Sequence, residues 1–131
     1  MRLLTPALTL LPLAAAFPTT TPKSTPQSAK PLPLLIWHGL GDRHDAAGLH
    51  EVGALASKIH PGTHVEYLRA AEAGPDDQRA TFFGNITAQS EVICEELLIN
   101  PNLTNAEGIV RVDALGFSQG GQFLRGLVER C

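Results

Sequence analysis

Apolar positions along the chain fall into short blocks punctuated by glycine and proline. Leu34, Leu35, Ile36 and Trp37 form a continuous apolar run shortly after Pro33 and before Gly39. That is the pattern of a strand buried on both faces. Over residues 46–59, Leu49, Val52, Leu55, Ala56 and Ile59 recur at helical spacing, and Pro61 and Gly62 stop the helix this predicts. Residues 63–69 alternate and are rich in β-branched and aromatic side chains, which predicts a second strand. Residues 71–79, AEAGPDDQR, are polar without a period and read as a loop. Asn85 can cap a helix running to Ile99, with Ile86, Ile93 and Leu97 along one stripe and Asn100 and Pro101 at its end. Residues 101–108 read as a loop, 109–115 as a third strand, and Gln119–Arg130 as a final helix.

Strands and helices thus alternate, which predicts βαβ units and a parallel sheet, the α/β class. In such sheets ligands sit beyond the carboxyl ends of the strands. Two glycine-rich turns fall there: HGLGD at residues 38–42, after the first strand, and GFSQG at residues 116–120, after the third.

The start of the chain has a different character. Residues 1–16 carry a single positive charge at Arg2, an apolar run, and small residues ending in Ala14 and Ala16, the pattern of a secretory signal. The run is too short, and too broken by Pro6 and Pro12, to span a bilayer, so no transmembrane anchor is expected. Residues 17–30 are rich in Ser, Thr and Pro and have too little apolar surface to offset their ordering entropy, so they read as a linker. Residues 31–131 are the expected folded part, one domain.

Charge and cysteine content narrow the partners. With 10 basic and 13 acidic residues and a net charge of −3, the chain has no basic stretch of the kind that tracks nucleic acid. No Cys/His spacing resembles a structural zinc site, and neither metal nor cofactor is expected. The two cysteines, Cys94 and Cys131, form an even count, which in a secreted chain suggests a disulfide.

The turn GFSQG matches Gly-x-Ser-x-Gly, in which a serine is raised on a sharp strand-to-helix turn to attack a carbonyl. The expected strand enters it and the expected helix leaves it. Gly116 and Gly120 would give the backbone room that bulkier residues would fill. The bland alternative is a serine that merely caps a helix. HGLGD alone is a weaker signal, because most glycine-rich turns are only turns. Beside a nucleophile it reads as part of an oxyanion hole, with the backbone N–H groups of Leu40 and Gln119 as the two donors.

PLPLLIWHGLGD together with DALGFSQGGQFLR resembles the palmitoyl-protein thioesterases, and the resemblance covers the whole stretch 31–131. It implies a three-layer α/β-hydrolase with a mostly parallel sheet, of which these residues form an incomplete N-terminal part. It implies Ser118 as nucleophile, Leu40 and Gln119 at the oxyanion hole, and pairing of Cys94 with Cys131. The implied substrates are fatty acyl thioesters, S-palmitoylated proteins above all, and the implied compartment is a lysosome or vacuole.

Hydrolases of this fold order their triad as serine, acid, histidine. Here His38, His44, His50, His60 and His64 all precede Ser118. His38 sits in the oxyanion loop and is expected to orient it rather than act as base, while Asp42 braces the turn and Asp113 is structural. The expectation is a truncated chain with half a catalytic site and no turnover of its own. The alternatives are a secreted acyl-binding module and a lipase or esterase of the same fold. Asn85-Ile86-Thr87 and Asn102-Leu103-Thr104 are glycosylation acceptors, Asn102 the better placed, and agree with a secretory or extracellular destination.

Overall fold

The computed structural model describes residues 30–131. The signal segment 1–16 and all of the linker 17–30 except Lys30 lie outside the described residues. Strands β1 (Leu34–Trp37), β2 (Val65–Tyr67) and β3 (Asp113–Gly116) form one sheet in the order β2-β1-β3, with both pairings parallel. Helix α1 (Ala47–Ile59) joins β1 to β2. Helices α2 (Gly74–Phe83) and α3 (Ile86–Ile99) lie between β2 and β3, and α4 (Gln119–Arg130) leaves the last strand.

β1 is the central strand, which explains its unbroken apolar sequence. Alternation sends Leu35 and Trp37 to one face and Leu34 and Ile36 to the other. On the first face they join Leu68, Ile93, Leu97, Leu103, Phe123, Leu124 and Leu127, so α3 and α4 close that side. Trp37 stacks on Phe123 with ring centroids 3.8 Å apart, an aromatic pairing that fixes where α4 lies. On the second face α1 packs against β2. A side chain at Gly53 would collide with the Tyr67 hydroxyl and press on Val65, so the helix approaches closely at a residue without one.

Three expectations are corrected. Residues 74–83 are helical, not loop. Pro75 stands at the start of α2 and Asp76 and Asp77 occupy its first turn, where a proline lacks no needed donor and carboxylates face the positive helix end. The third strand begins at Asp113 rather than at 109, because Val110 instead bridges Thr104 in antiparallel fashion. Its length follows β1, each residue of Leu34–Trp37 pairing with one of Asp113–Gly116. Ile86, placed on the buried stripe of α3, is exposed, while Ile93 and Leu97 are buried. Asn85 does cap that helix: its Oδ1 accepts from the amides of Thr87 at 3.0 Å and Ala88 at 3.2 Å.

Cys94 and Cys131 form a disulfide that ties α3 to the end of α4 across 37 residues of sequence. Closing a loop of that length restrains the unfolded chain by about 3–4 kcal/mol. Replacing both cysteines by serine is therefore expected to lower unfolding stability by that amount in urea titration. An unchanged midpoint would mean that the bridge adds nothing to the fold.

Candidate active site

β3 delivers the chain to a turn whose geometry is set by contact between backbones. The Phe117 amide donates to the Trp37 carbonyl at 3.0 Å, extending the pairing with β1 by one residue. Ser118 follows with φ 51° and ψ −115°. Among the described residues it is the one non-glycine residue with positive φ. Such a conformation costs on the order of 1–3 kcal/mol and persists only where its surroundings hold it. Gly116 and Gly120 supply those surroundings. A side chain on Gly116 would meet the backbone of Gly120 and Gly121. One on Gly120 would lie 2.5 Å from the His38 carbonyl oxygen and 2.6 Å from that of Trp37. The first turn of α4 thus rests directly on the end of β1.

The glycine-rich loop after β1 runs alongside the same turn. A Cβ on Gly39 would lie 3.4 Å from the Ser118 Cβ. Leu40, the next residue, is 53 % exposed, and Gly41 takes φ 75°, open to glycine without strain. Ser118 is exposed, and its side chain makes no cap hydrogen bond to α4. The bland role of helix cap is therefore not the one it fills. Gln119 is the first residue of α4, so its amide belongs to the positive end of that helix. Among the described residues, neither the Leu40 nor the Gln119 amide donates to another backbone carbonyl.

Helix α2, unforeseen from the sequence, holds this arrangement from the side. Asp77 is 0 % exposed. Its Oδ2 accepts from the His44 amide at 2.9 Å and lies 2.9 Å from His44 Nδ1, while Oδ1 accepts from the Ala70 amide at 2.7 Å. The same Oδ2 lies 2.9 Å from Nε2 of His38, which is also 0 % exposed. That last approach lies off the ring N–H direction, so it is a charge contact rather than an aligned hydrogen bond. Further along α2, the Thr81 hydroxyl accepts from the Gly41 amide at 2.8 Å, and the Thr81 carbonyl accepts from the Gln119 side chain at 3.3 Å. Gln78 donates to the Gly41 carbonyl.

Burial alone would push His38 toward its neutral form. The Asp77 carboxylate, the Gly39 carbonyl 3.2 Å from Nδ1, and the charge of Asp42 outweigh it, so the His38 pKa lies above 6.5. Burial likewise opposes ionisation of Asp77, but His38, His44 and the two amides hold its carboxyl far below the usual carboxylate range. His38 Nδ1 lies within hydrogen-bond distance of the Gly39 carbonyl and Nε2 faces the Asp77 carboxylate without an aligned hydrogen bond, which places this residue as a brace for the loop. The remaining histidines are placed elsewhere. His50 stacks on Tyr67, His64 pairs with Glu66 at 3.1 Å, and His60 follows α1. Among the described residues, no hydrogen bond joins Ser118 to any histidine.

The sequence profile of the palmitoyl protein thioesterase family matches residues 33–131, which takes in both glycine-rich turns and all seven elements. The chain belongs to this family. It is 34% identical over 104 residues to the palmitoyl-protein thioesterase-dolichyl pyrophosphate phosphatase fusion 1 of Schizosaccharomyces pombe, covering 79% of the present chain and 16% of that protein. It is 30% identical over 105 residues to palmitoyl-protein thioesterase 1 of Caenorhabditis elegans, covering 79% of the chain and 34% of that relative. The chain therefore spans about a third or less of the length of these thioesterase relatives.

The charge cluster has a definite pH signature. The raised pKa of His38 contributes stability that is complete below pH 6.5 and is lost as pH rises through the folded-state value. The depressed pKa of Asp77 contributes stability that is present above about pH 4 and survives into strong acid. Stability is thus expected to fall as pH rises above 6.5 and through the folded-state pKa of His38. Asp77→Ala is expected to cost about 3–5 kcal/mol, the usual result of leaving one buried partner alone, and to flatten or reverse that fall. Urea titrations across the pH range would contradict this assignment if both proteins showed the same pH slope.

Proposed function

We propose that this thioesterase-family chain carries the nucleophile and oxyanion hole for hydrolysis of long-chain fatty acyl thioesters on S-acylated protein cysteines, within an α/β-hydrolase fold. The observation that carries the reading is the strained, exposed Ser118, set between the Gly39–Leu40 backbone and the start of α4. The names of the two relatives support the substrate class.

Ser118 Oγ attacks the thioester carbonyl and loses its proton to a general base. The C–S bond breaks, and the cysteine thiolate leaves, protonated or not. With a thiol pKa of about 8.5, it departs with less protonation than an amine requires. Water then attacks the acyl-enzyme, frees the fatty acid and restores the Ser118 hydroxyl. The Leu40 and Gln119 amides face the oxyanion in both halves of the reaction. His38, held between the Gly39 carbonyl and the Asp77 carboxylate, is not assigned as the general base. A chain limited to the described residues is expected to show no turnover above background. The Cys94–Cys131 bridge supports passage through an oxidising, secretory compartment toward a lysosome, vacuole or the exterior, with glycans on Asn102 and Asn85.

The test is hydrolysis by the protein expressed from its own gene, measured on palmitoyl thioesters and on oxygen esters of equal chain length. Ser118→Ala is expected to lower kcat on thioesters by at least about a thousandfold. Undiminished turnover in that variant would refute the nucleophile, and a clear preference for oxygen esters would make the protein a lipase or esterase.

A further inference from the structure

α2 buries only Gly74 and Asp77, and so has no apolar stripe to hold it to the protein. Its hydrogen bonds run to the loop after β1, to Ala70, to Gln89 of α3 and to Gln119 of α4, and the Phe82 ring lies against Gly41. Asp77 grips the loop after β1 on both sides of Leu40, through His38 before it and His44 after it. Thr81 grips that loop in the middle, at Gly41, and reaches α4 through the Gln119 side chain. One helix therefore holds the two separate pieces of backbone that carry the Leu40 and Gln119 amides. A side chain such as Asp77, fully buried and ionised, is costly unless its partners are fixed in place.

We infer that Asp77 and Thr81 are positioning residues that set the distance between the Leu40 and Gln119 N–H groups, and so tune acyl transfer without touching the reacting atoms. The inference rests on the reading of Ser118 as nucleophile. Its physical basis is the steep distance dependence of oxyanion stabilisation. Donors must lie within a few tenths of an ångström of where the charge develops, and an error of about 1 Å costs roughly a hundredfold in rate. Apart from its bonds to α2, the hydrogen bonds of the loop are local, such as that of the Asp42 amide to the Gly39 carbonyl at 3.2 Å. Leu40 is exposed and Gly41 sits in a conformation that glycine leaves easily. The charged groups around the clamp are Asp42 beside His38, and Glu72 near His44, itself paired with Arg69 at 2.7 Å. Arg43 and Asp45 pair with each other at 3.0 Å.

The experiment compares wild type with Thr81→Val, His44→Gln and Asp77→Asn in the protein expressed from its own gene. It measures kcat and KM on a palmitoyl thioester from pH 4.5 to 8.5, and amide hydrogen exchange over residues 39–45. Thr81→Val and Asp77→Asn are expected to lower kcat by about ten- to a hundredfold with KM within about twofold, and to speed exchange in that loop. Asp77→Asn should also shift the alkaline limb of the kcat profile toward lower pH, because His38 loses the charge that favours its protonated form. Should Asp77→Asn fail to fold, the two milder variants decide. Folded Thr81→Val and His44→Gln proteins with unchanged kcat and unchanged loop exchange, in a background where Ser118→Ala is inactive, would overturn this proposal alone. Turnover retained in Ser118→Ala would overturn the nucleophile and this proposal with it.

Discussion

The fold of this chain depends on one close approach between backbones, where the first turn of α4 rests on the carbonyls of Trp37 and His38. Only a residue without a side chain fits at Gly120, and Gly116 meets the same limit from the strand side. That contact forces the chain to reverse within a single residue, and the residue that absorbs the reversal is Ser118, at positive φ. Stacking of Trp37 on Phe123 and the Cys94–Cys131 bridge then keep α4 pressed to the sheet. The strain at the serine is maintained by a well-packed core rather than by interactions of the serine itself.

Around this apolar frame lies a second, polar one. The core needs α1, α3 and α4 to cover the sheet. α2 contributes almost nothing to apolar burial and spends its side chains on the loop that faces Ser118. A buried carboxylate shared between two histidines is a rigid but demanding device, since each partner lost leaves a charge uncompensated in a dry site. Placed there, it holds the loop that runs beside Ser118 through the His44 amide and the charge contact with His38.

Much of this could be read directly from residue order. The apolar run at Leu34–Trp37, bounded by proline and glycine, fits a strand buried on both faces, and the helix after the serine turn was legible at Gln119–Arg130. The cap at Asn85 is a local side-chain interaction and equally readable. What escaped has a different physical origin. α2 has no hydrophobic period, and its signals were the proline and the two carboxylates of its first turn, which resemble those of a polar loop. The ion contact of Asp77 with His38 joins residues far apart in sequence and leaves no periodic trace. β3 is shorter than its apolar stretch because a parallel strand ends where its partner ends. The glycine turns drew attention to Ser118 and Leu40, but not to the helix that holds them.

The proposed function requires that Ser118 form a covalent acyl-enzyme. The most direct measurement is to quench the native protein during turnover of an isotopically labelled palmitoyl thioester and locate the label by peptide mass spectrometry. The label is predicted on the peptide containing Ser118, at the serine oxygen, and should resist neutral hydroxylamine, which cleaves thioesters, but be released by alkaline hydroxylamine. Turnover with the acyl group trapped on another residue, or with no acyl-enzyme at any quench time, would contradict the account.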